Sequence, residues 1–249
     1  MNGLERGVPG DGSRPGTLAG EISMHCAIAE LARSVNAEAR PRPEDVLERF
    51  TVLAMTHIRT VEDVSVMVGS ANHGLRPSAA SGAVAHLLDA IQAETCEGPC
   101  WDAINVRRTI RVHDLAEERR WPRFGAAVLE QTPIRSILCY LLYTDTQDFG
   151  VLSLHANHSR AFDAEAEDSG FVLATHAALT LQAIHRGRHF RSALGSRDII
   201  GQAKGILMER YDIGAGAAFS LLSRLSQESN KPIVVIAKEV VDNKSSPRH

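Results

Sequence analysis

Lysine is missing from the first 203 residues of this 249-residue chain, and all four lysines lie in the tail. Residues 1–185 hold 16 Arg against 24 Asp and Glu, a net charge of −8. Residues 186–249 hold 11 Lys and Arg against 6 Asp and Glu, a net charge of +5, and together the two parts give the −3 of the whole chain. This asymmetry predicts a basic module that meets a polyanion, attached to an acidic module with a different task.

Other features of common protein classes are also missing. No apolar run approaches the roughly 20 residues that a membrane-spanning helix needs, and the N-terminus has no apolar stretch of the secretory type. There is no phosphate-binding Gly loop of the Walker or dinucleotide type. We therefore expect a cytoplasmic protein with no membrane partner. In that reducing compartment the four cysteines should be free thiols: Cys26, Cys96, Cys100 and Cys139.

Aromatic residues make up only 5% of the chain, whereas 44% of the residues are hydrophobic. We therefore expect a globular protein whose core relies on Ala, Leu, Val and Ile. The length and the charge shift favour two domains. The expected division is a flexible N-terminus with a possible helix at 1–43, a first domain at 44–185 and a second at 186–249.

Short β-rich runs dominate the middle of the sequence. Strands are predicted at 64–68, 109–115, 135–143 and 149–156, with a hairpin loop at 144–148. Helices are predicted at 18–35, 43–58, 82–93 and 121–129. Strands joined by a hairpin and flanked by helices indicate an α+β fold with an antiparallel sheet rather than a doubly wound fold.

A proline-free stretch then extends from Phe162 to Tyr211. Globular helices are usually roughly 8 to 20 residues long, so a stretch of this length predicts a continuous or twice-bent connecting helix. We expect it to pair with its copy in a homodimer. The alternative is an ordinary amphipathic helix packed on its own sheet.

The end of this stretch is predicted to be the first of three helices in the tail. A helical wheel places Ala203, Leu207 and Tyr211 on an inward face. Gly201 and Gly205 lie on the other face, and each costs roughly 1 kcal/mol relative to Ala inside a helix. Something must therefore approach that surface closely. The two candidates are a nucleic acid and a neighbouring helix of the tail.

The second tail helix is predicted at 215–227, with Gly214 ending the helix before it. Ala218, Leu221, Leu222 and Leu225 are expected to point inward. The third helix is expected to be capped by Ser229 or Asn230, with Pro232 in its first turn.

Several motifs now carry a resemblance to known families. Gly98-Pro99-Cys100, RVHDL at 111–115, RRWPRFG at 119–125 and AFDAEAED at 161–168 resemble a GAF domain of the actinobacterial regulator type. IGQAKGILMER at 200–210, followed by AF…LL…LS and N…IA…VV, is similar to an ANTAR domain, the RNA-binding module of transcription antitermination regulators. Pro232 departs from that pattern, in which an aliphatic residue is more usual there.

The resemblance implies both an architecture and a function. The architecture is a GAF-like antiparallel sheet flanked by helices, a long connecting helix and a C-terminal all-α three-helix ANTAR bundle. The function is that of a regulator rather than an enzyme, in which the GAF domain senses a signal and the ANTAR domain binds RNA hairpins in nascent transcripts. The target RNA and the nature of the signal, whether ligand, redox change or phosphorylation, are not fixed by the sequence.

Candidate RNA-binding residues are the cationic and amide- or hydroxyl-bearing side chains of the tail. Lys and Arg supply salt-dependent phosphate contacts, whereas Ser, Asn and Gln hydrogen-bond the base edges of unstacked loops. The candidates are Arg197, Gln202, Lys204, Arg224, Ser226, Asn230, Lys231 and Lys238.

In the first domain a pocket for a small-molecule effector of unknown identity is expected between the sheet and its covering segments. No cofactor is identified. The candidate lining residues are Cys96, Cys100, Trp101, His113 and Tyr140.

Three alternatives stand beside this interpretation. Cys96 and Cys100 are candidates for a thiol redox sensor or reductase. The tail is a candidate DNA reader, although its third helix offers few groups that read bases. Three pairs have metal-ligating side chains, but each offers two ligands where a structural zinc needs four, so no metal is expected. These pairs are Cys96/Cys100, His155/His158 and His185/His189.

Overall fold

A computed structural model describes residues 15–144 and 147–244. The chain divides into two compact units, Met1–Ile184 and His185–His249. The helices are α1 Pro15–Ala37, α2 Pro43–His57, α3 Ala83–Thr95, α4 Pro99–Val106, α5 Pro122–Gln131, α6 Ala164–Tyr211, α7 Ala215–Ser229 and α8 Ile233–Lys244. The strands are β1 Asp63–Ser70, β2 Gly74–Ala80, β3 Ile110–Val112, β4 Ser136–Thr144 and β5 Gln147–Ala156.

The five strands form one antiparallel sheet in the order β2-β1-β5-β4-β3. The predicted α+β class with antiparallel pairing is therefore confirmed. Gly150 of β5 pairs with Val68 of β1, and its φ of 151° lies in a region that favours glycine. A Cβ at this position would collide with the carbonyl of Met67. Glycine is thus required for the two central strands to approach each other.

Each face of the sheet has its own core. Val66 and Leu152 lie in the cluster that packs under α1, α2 and the first part of α6. Met67 and Val151 lie in the cluster under α3, α4 and α5. Because consecutive strand residues point to opposite faces, each apolar run contributes to both layers. The first unit is therefore a sheet covered by helices on both sides.

The sequence analysis missed two elements of the first unit. β2 contains Gly74, Pro77 and three alanines or serines, a composition with low strand propensity. It forms as an edge strand, where the missing N–H of proline is tolerated. α4 starts with Pro99 at its first turn and ends at Arg107, whose φ is 54°. The hairpin between β4 and β5 is tighter than predicted, since Thr144 and Gln147 already pair across the ladder.

The long helix is confirmed as α6, which spans 48 residues. Its last part packs with α7 and α8 around a small core of the second unit. The buried members of this core are Ala203, Leu207, Ala218, Leu222, Ile236 and Ala237. The third tail helix, α8, is confirmed as helix despite its IVVI run, because Ile236 and Ala237 pack into this core.

Both connections of the second unit differ in detail from the prediction. Asp212, with a φ of 51°, ends α6, and Gly214 is the N-cap of α7. This turn brings Ile213 against the core and leaves Tyr211 exposed, so the inward placement predicted for Tyr211 is wrong. Asn230 does not cap α8 but ends α7 in the left-handed conformation, and Ser229 donates a hydrogen bond back to the Leu225 carbonyl.

Candidate ligand face and nucleic-acid interface

The face of the sheet under α3 and α4 carries buried polar side chains within an apolar layer. Ser65 of β1 pairs with Ser153 of β5, which pairs with Cys139 of β4, so the three form a line across the sheet. α3 contributes two side chains above this line and α4 contributes one. We call the set the buried polar cluster: Ser65, Asp89, Gln92, Cys100, Cys139 and Ser153.

Asp89 is the ionisable centre of the buried polar cluster. Ser65 Oγ donates a hydrogen bond of 2.7 Å to Asp89 Oδ1, while Oδ2 has no hydrogen-bond partner within the described residues. Burial raises the pKa of Asp89 to about 7, although the hydrogen bond from Ser65 opposes the shift. The carboxyl group therefore exchanges its proton near neutral pH, and its second oxygen keeps unused hydrogen-bonding capacity within the described residues.

Gln92 joins α3 to the start of α4. Its Oε1 accepts a 2.9 Å hydrogen bond from the Cys100 backbone N–H, and its Nε2 lies 3.2 Å from Cys100 Sγ. Trp101 Nε1 donates to the Gln92 carbonyl at 2.9 Å. Gly98 precedes α4 with a φ of 130°, and a Cβ there would collide with the Gln92 side chain. The Gly98-Pro99-Cys100 motif thus allows the start of α4 to pack closely against the Gln92 side chain.

The structure does not bring the five predicted ligand-lining residues into one pocket. Cys100 lies in the buried polar cluster and Trp101 packs beside it, but Cys96 is exposed at the end of α3 and His113 is exposed after β3. Tyr140 lies on the opposite face of the sheet, because it follows Cys139 directly and strand residues alternate. Its hydroxyl donates to the Glu167 carbonyl at 2.7 Å, a structural role that fixes α6.

Most of the buried polar cluster was not predicted from the sequence, and His155, considered there only as one of a pair of metal-ligating side chains, was not predicted to be buried. Both ring nitrogens of His155 lack a hydrogen-bond partner within the described residues, and burial lowers the pKa of its imidazole to about 3. The available signal was the placement of Ser65, Ser153 and Asp89 at positions where an apolar residue would continue the pattern.

The thiols that approach each other are Cys100 and Cys139, with 3.9 Å between the two sulfurs. Ser153 Oγ lies 3.0 Å from Cys100 Sγ and 3.1 Å from Cys139 Sγ. Burial raises the pKa of Cys139, which disfavours the reactive thiolate. The two thiols of the redox hypothesis lie in different environments: Cys100 is buried, whereas Cys96 is exposed at the end of α3 and its Sγ contacts the Ala93 carbonyl.

In the second unit Gly201 and Gly205 face open space. A Cβ added at either position meets no atom within 4 Å, so neither α7 nor α8 packs there. Of the two explanations for these glycines, packing by a neighbouring tail helix is therefore wrong. Arg197 is exposed and Lys204 half-buried on the same helix. We call the surface formed by these four residues the glycine notch.

The eight predicted RNA-binding residues divide by environment. Three of them fix the turn between α7 and α8: Ser226 Oγ donates to the Lys231 carbonyl at 2.5 Å, Asn230 holds the left-handed position, and Lys231 Nζ lies 2.8 Å from Glu239. The other five make no ion pair within the described residues and lie on all three helices. They are Arg197, Gln202 and Lys204 on α6, Arg224 on α7 and Lys238 on α8.

Family models match both units. The GAF domain model matches residues 42–182 and the ANTAR domain model matches residues 188–241. This chain belongs to the GAF domain family and carries an ANTAR domain. The sheet with its buried polar cluster is the GAF domain, and the three-helix core with the glycine notch is the ANTAR domain. This combination is that of a regulator that senses a signal and acts in transcription antitermination.

Solved structures of other GAF domains share the fold of the first unit. A putative GAF sensor protein from Burkholderia vietnamiensis is 15% identical with a TM-score of 0.52, over 67% of this chain and 98% of its own. The GAF domain of an Acinetobacter phosphoenolpyruvate-protein phosphotransferase is 14% identical with a TM-score of 0.52, over 66% and 95%. A free methionine-R-sulfoxide reductase from Neisseria meningitidis, solved with its substrate, is 14% identical with a TM-score of 0.51, over 75% and 99%. No curated protein matches this chain.

Within residues 15–144 and 147–244, the His, Cys, Asp and Glu side chains form no group of three or more that could hold a metal ion. Among the helices described, none is both long and apolar enough to cross a bilayer.

Proposed function

We propose that this protein is a transcription antitermination regulator whose ANTAR domain binds RNA hairpins and whose GAF domain controls that binding. The observation that carries the proposal is the glycine notch. Gly201 and Gly205, one turn apart on α6, leave open space beside Lys204 and Arg197. Glycine lets a nucleic-acid backbone or base approach the helix, and the cations contribute phosphate contacts.

The proposed mode of binding uses the five unpaired candidates together. Arg197, Lys204, Arg224 and Lys238 contact phosphates, and Gln202 hydrogen-bonds a base edge of an unstacked loop. Ser226, Asn230 and Lys231 hold α7 and α8 in place and so position this surface rather than supplying its main contacts.

The proposed active form is a homodimer. On α6, Phe171 and Leu179 are 55% and 50% exposed and stand two turns apart, which gives a second copy an apolar strip to cover. Two ANTAR domains in one dimer would bind paired hairpins with a gain from effective concentration. Sedimentation of a strict monomer, with and without RNA, would contradict this part of the proposal.

The proposed input is a small molecule or another signal received on the GAF face that carries the buried polar cluster. Asp89 supports this choice, because its Oδ2 is buried without a partner within the described residues. A change there would alter the packing of α3 and α4 against the sheet, and from there the pairing of α6 in the dimer.

The first test measures binding of the full chain to a labelled double-hairpin RNA and to duplex DNA of equal length, over a range of salt concentrations. Lys204→Ala should weaken RNA binding about five- to eightfold at about 0.1 M salt and reduce the salt slope by about 0.7 to 0.9, the loss of one phosphate contact. Arg33→Ala, which removes an exposed positive charge from α1, should leave both values unchanged. Equal affinity for RNA and DNA would overturn the proposal.

A further inference from the structure

A long middle part of α6 has no acidic residue. No Asp or Glu occurs between Asp168 and Asp198, whereas four arginines lie in the second half of that interval. Acidic residues three or four positions away on the same helix are the partners that would compensate such charges. The four uncompensated arginines are Arg186, Arg188, Arg191 and Arg197.

Many arginines of the GAF domain, in contrast, are paired with acidic side chains. Seven of them make ion pairs with Asp or Glu, among them Arg107 with Asp148 and Arg135 with Asp114. Among the ion pairs of the described residues none involves Arg186, Arg188 or Arg191, and all three are exposed. Their guanidinium groups are therefore available to an anion from outside the chain, and each offers a planar fork that fits a phosphate.

An aromatic side chain stands among these arginines. Phe190 is 66% exposed, the most exposed large hydrophobic side chain of the described residues. Exposed phenylalanine is costly in water, and aromatic rings interleaved with basic residues are the usual platform for unstacked bases. The uncompensated arginines and the exposed Phe190 ring are separate observations, and both indicate the same kind of partner, a nucleic acid with unpaired bases.

We infer that residues 186–191 of α6 form a second RNA contact, separate from the glycine notch, in which Arg186, Arg188 and Arg191 bind phosphates and Phe190 stacks on an unpaired base. This inference rests on the proposed RNA-binding function and extends it to residues outside the three-helix core. Arg188 and Arg191, three positions apart, lie on one side of α6, whereas Arg186 and Phe190, four positions apart, lie on the opposite side. The RNA therefore passes around the helix rather than along one face.

The test compares matched variants by RNA-binding isotherms at several salt concentrations, with helix content checked by circular dichroism. Arg186→Gln, Arg188→Gln and Arg191→Gln combined should reduce the salt slope by about 2 to 3, since each lost phosphate contact removes about 0.7 to 0.9. The corresponding triple Arg→Lys variant should keep most of the slope. Arg33→Gln, Arg40→Gln and Arg59→Gln combined, the same charge change at exposed sites of the first unit, should leave the slope unchanged.

Phe190→Ala should weaken binding of hairpin RNA about five- to a hundredfold, as base stacking losses do, without changing the salt slope. Phe190→Tyr should retain binding. If Phe190→Ala instead abolishes dimerisation in sedimentation and leaves the RNA affinity of the remaining species unchanged, Phe190 is a dimer contact and the inference is wrong.

The outcomes separate this inference from the function on which it rests. An unchanged slope in the triple Gln variant, together with weak binding by Lys204→Ala, overturns the second contact and leaves the proposed function standing. Absence of RNA binding by the unmodified protein at all salt concentrations overturns both. Equal losses for RNA and for duplex DNA in the triple Gln variant would show a general polyanion surface and would also contradict the inference.

Discussion

The buried carboxyl group of Asp89 makes the stability of the GAF domain depend on pH. It lies with Gln92 on the buried face of α3. One of its carboxylate oxygens accepts a hydrogen bond from Ser65, and the other has no partner within the described residues. Burial costs the charged form far more than the neutral form, so the pKa rises from 3.8 to about 7. The folded state therefore holds the proton more tightly than the unfolded state does.

Because the pKa of Asp89 is raised in the folded state, the protein loses stability as the pH rises. Stability from Asp89 is fully present below the unfolded pKa of 3.8 and is lost as pH rises through the folded pKa of about 7. Asp89→Asn should remove this loss, making the variant less sensitive to pH than the native protein between pH 4 and 8, by about 4 kcal/mol of unfolding free energy at most. Urea unfolding at pH 5 and pH 8 measures the difference.

Glu94→Gln is the matched control, because Glu94 lies on the same helix but is exposed. It should leave the pH dependence of unfolding as it is in the native protein. Identical pH profiles for Asp89→Asn and the native protein would show that Asp89 is not protonated in the folded state at neutral pH.

The helix α6 belongs to both domains, and its glycines have different surroundings in each. In the GAF domain it packs closely on the sheet at Gly170, where a Cβ would collide with the Tyr140 ring. In the ANTAR domain the glycines of the same helix face open space. The same residue type therefore serves internal packing at one end and an external surface at the other.

Gly201→Ala and Gly205→Ala provide a test at this scale. Each should stabilise the ANTAR domain by about 1 kcal/mol, because alanine is the better helix former and the added methyl meets no neighbour. Each should nevertheless weaken RNA binding, since the methyl occupies the space into which the RNA fits. Thermal unfolding and RNA titration of the same preparations separate the two effects.

Gly195→Ala, also on α6 with open space around its Cβ position, should stabilise the helix without weakening RNA binding. Unchanged RNA affinity for all three variants would show that the glycine notch does not contact RNA.

At the scale of the whole molecule, the chain consists of two units with separate cores. The GAF domain has large clusters on both faces of its sheet, whereas the ANTAR core has only six buried apolar residues, three of them alanines. A core this small contributes little stability of its own. The ANTAR domain should therefore be the less stable unit.

Leu222→Ala tests this division. Leu222 is fully buried in the ANTAR core, so its loss should cost about 2 to 5 kcal/mol and raise amide exchange in residues 199–244 while leaving the sheet protected. Leu138→Ala, at a fully buried site of β4, should do the reverse. Simultaneous loss of protection everywhere in both variants would show one cooperative unit instead.

The sequence by itself determined the fold class, the long helix and the regulator architecture, because hydrophobic periodicity, proline placement and short motifs are local properties. It did not reveal β2, which owes its existence to pairing with β1 rather than to its own propensity. Only the tertiary structure decided that Cys100 and Tyr140 lie on opposite faces of the sheet and that the glycine notch is open. It also decided that Asp89 and His155 are buried with polar atoms that find no partner in the part of the chain that the structure describes. Each of these depends on which distant segments pack together, and spacing along the chain does not contain that information.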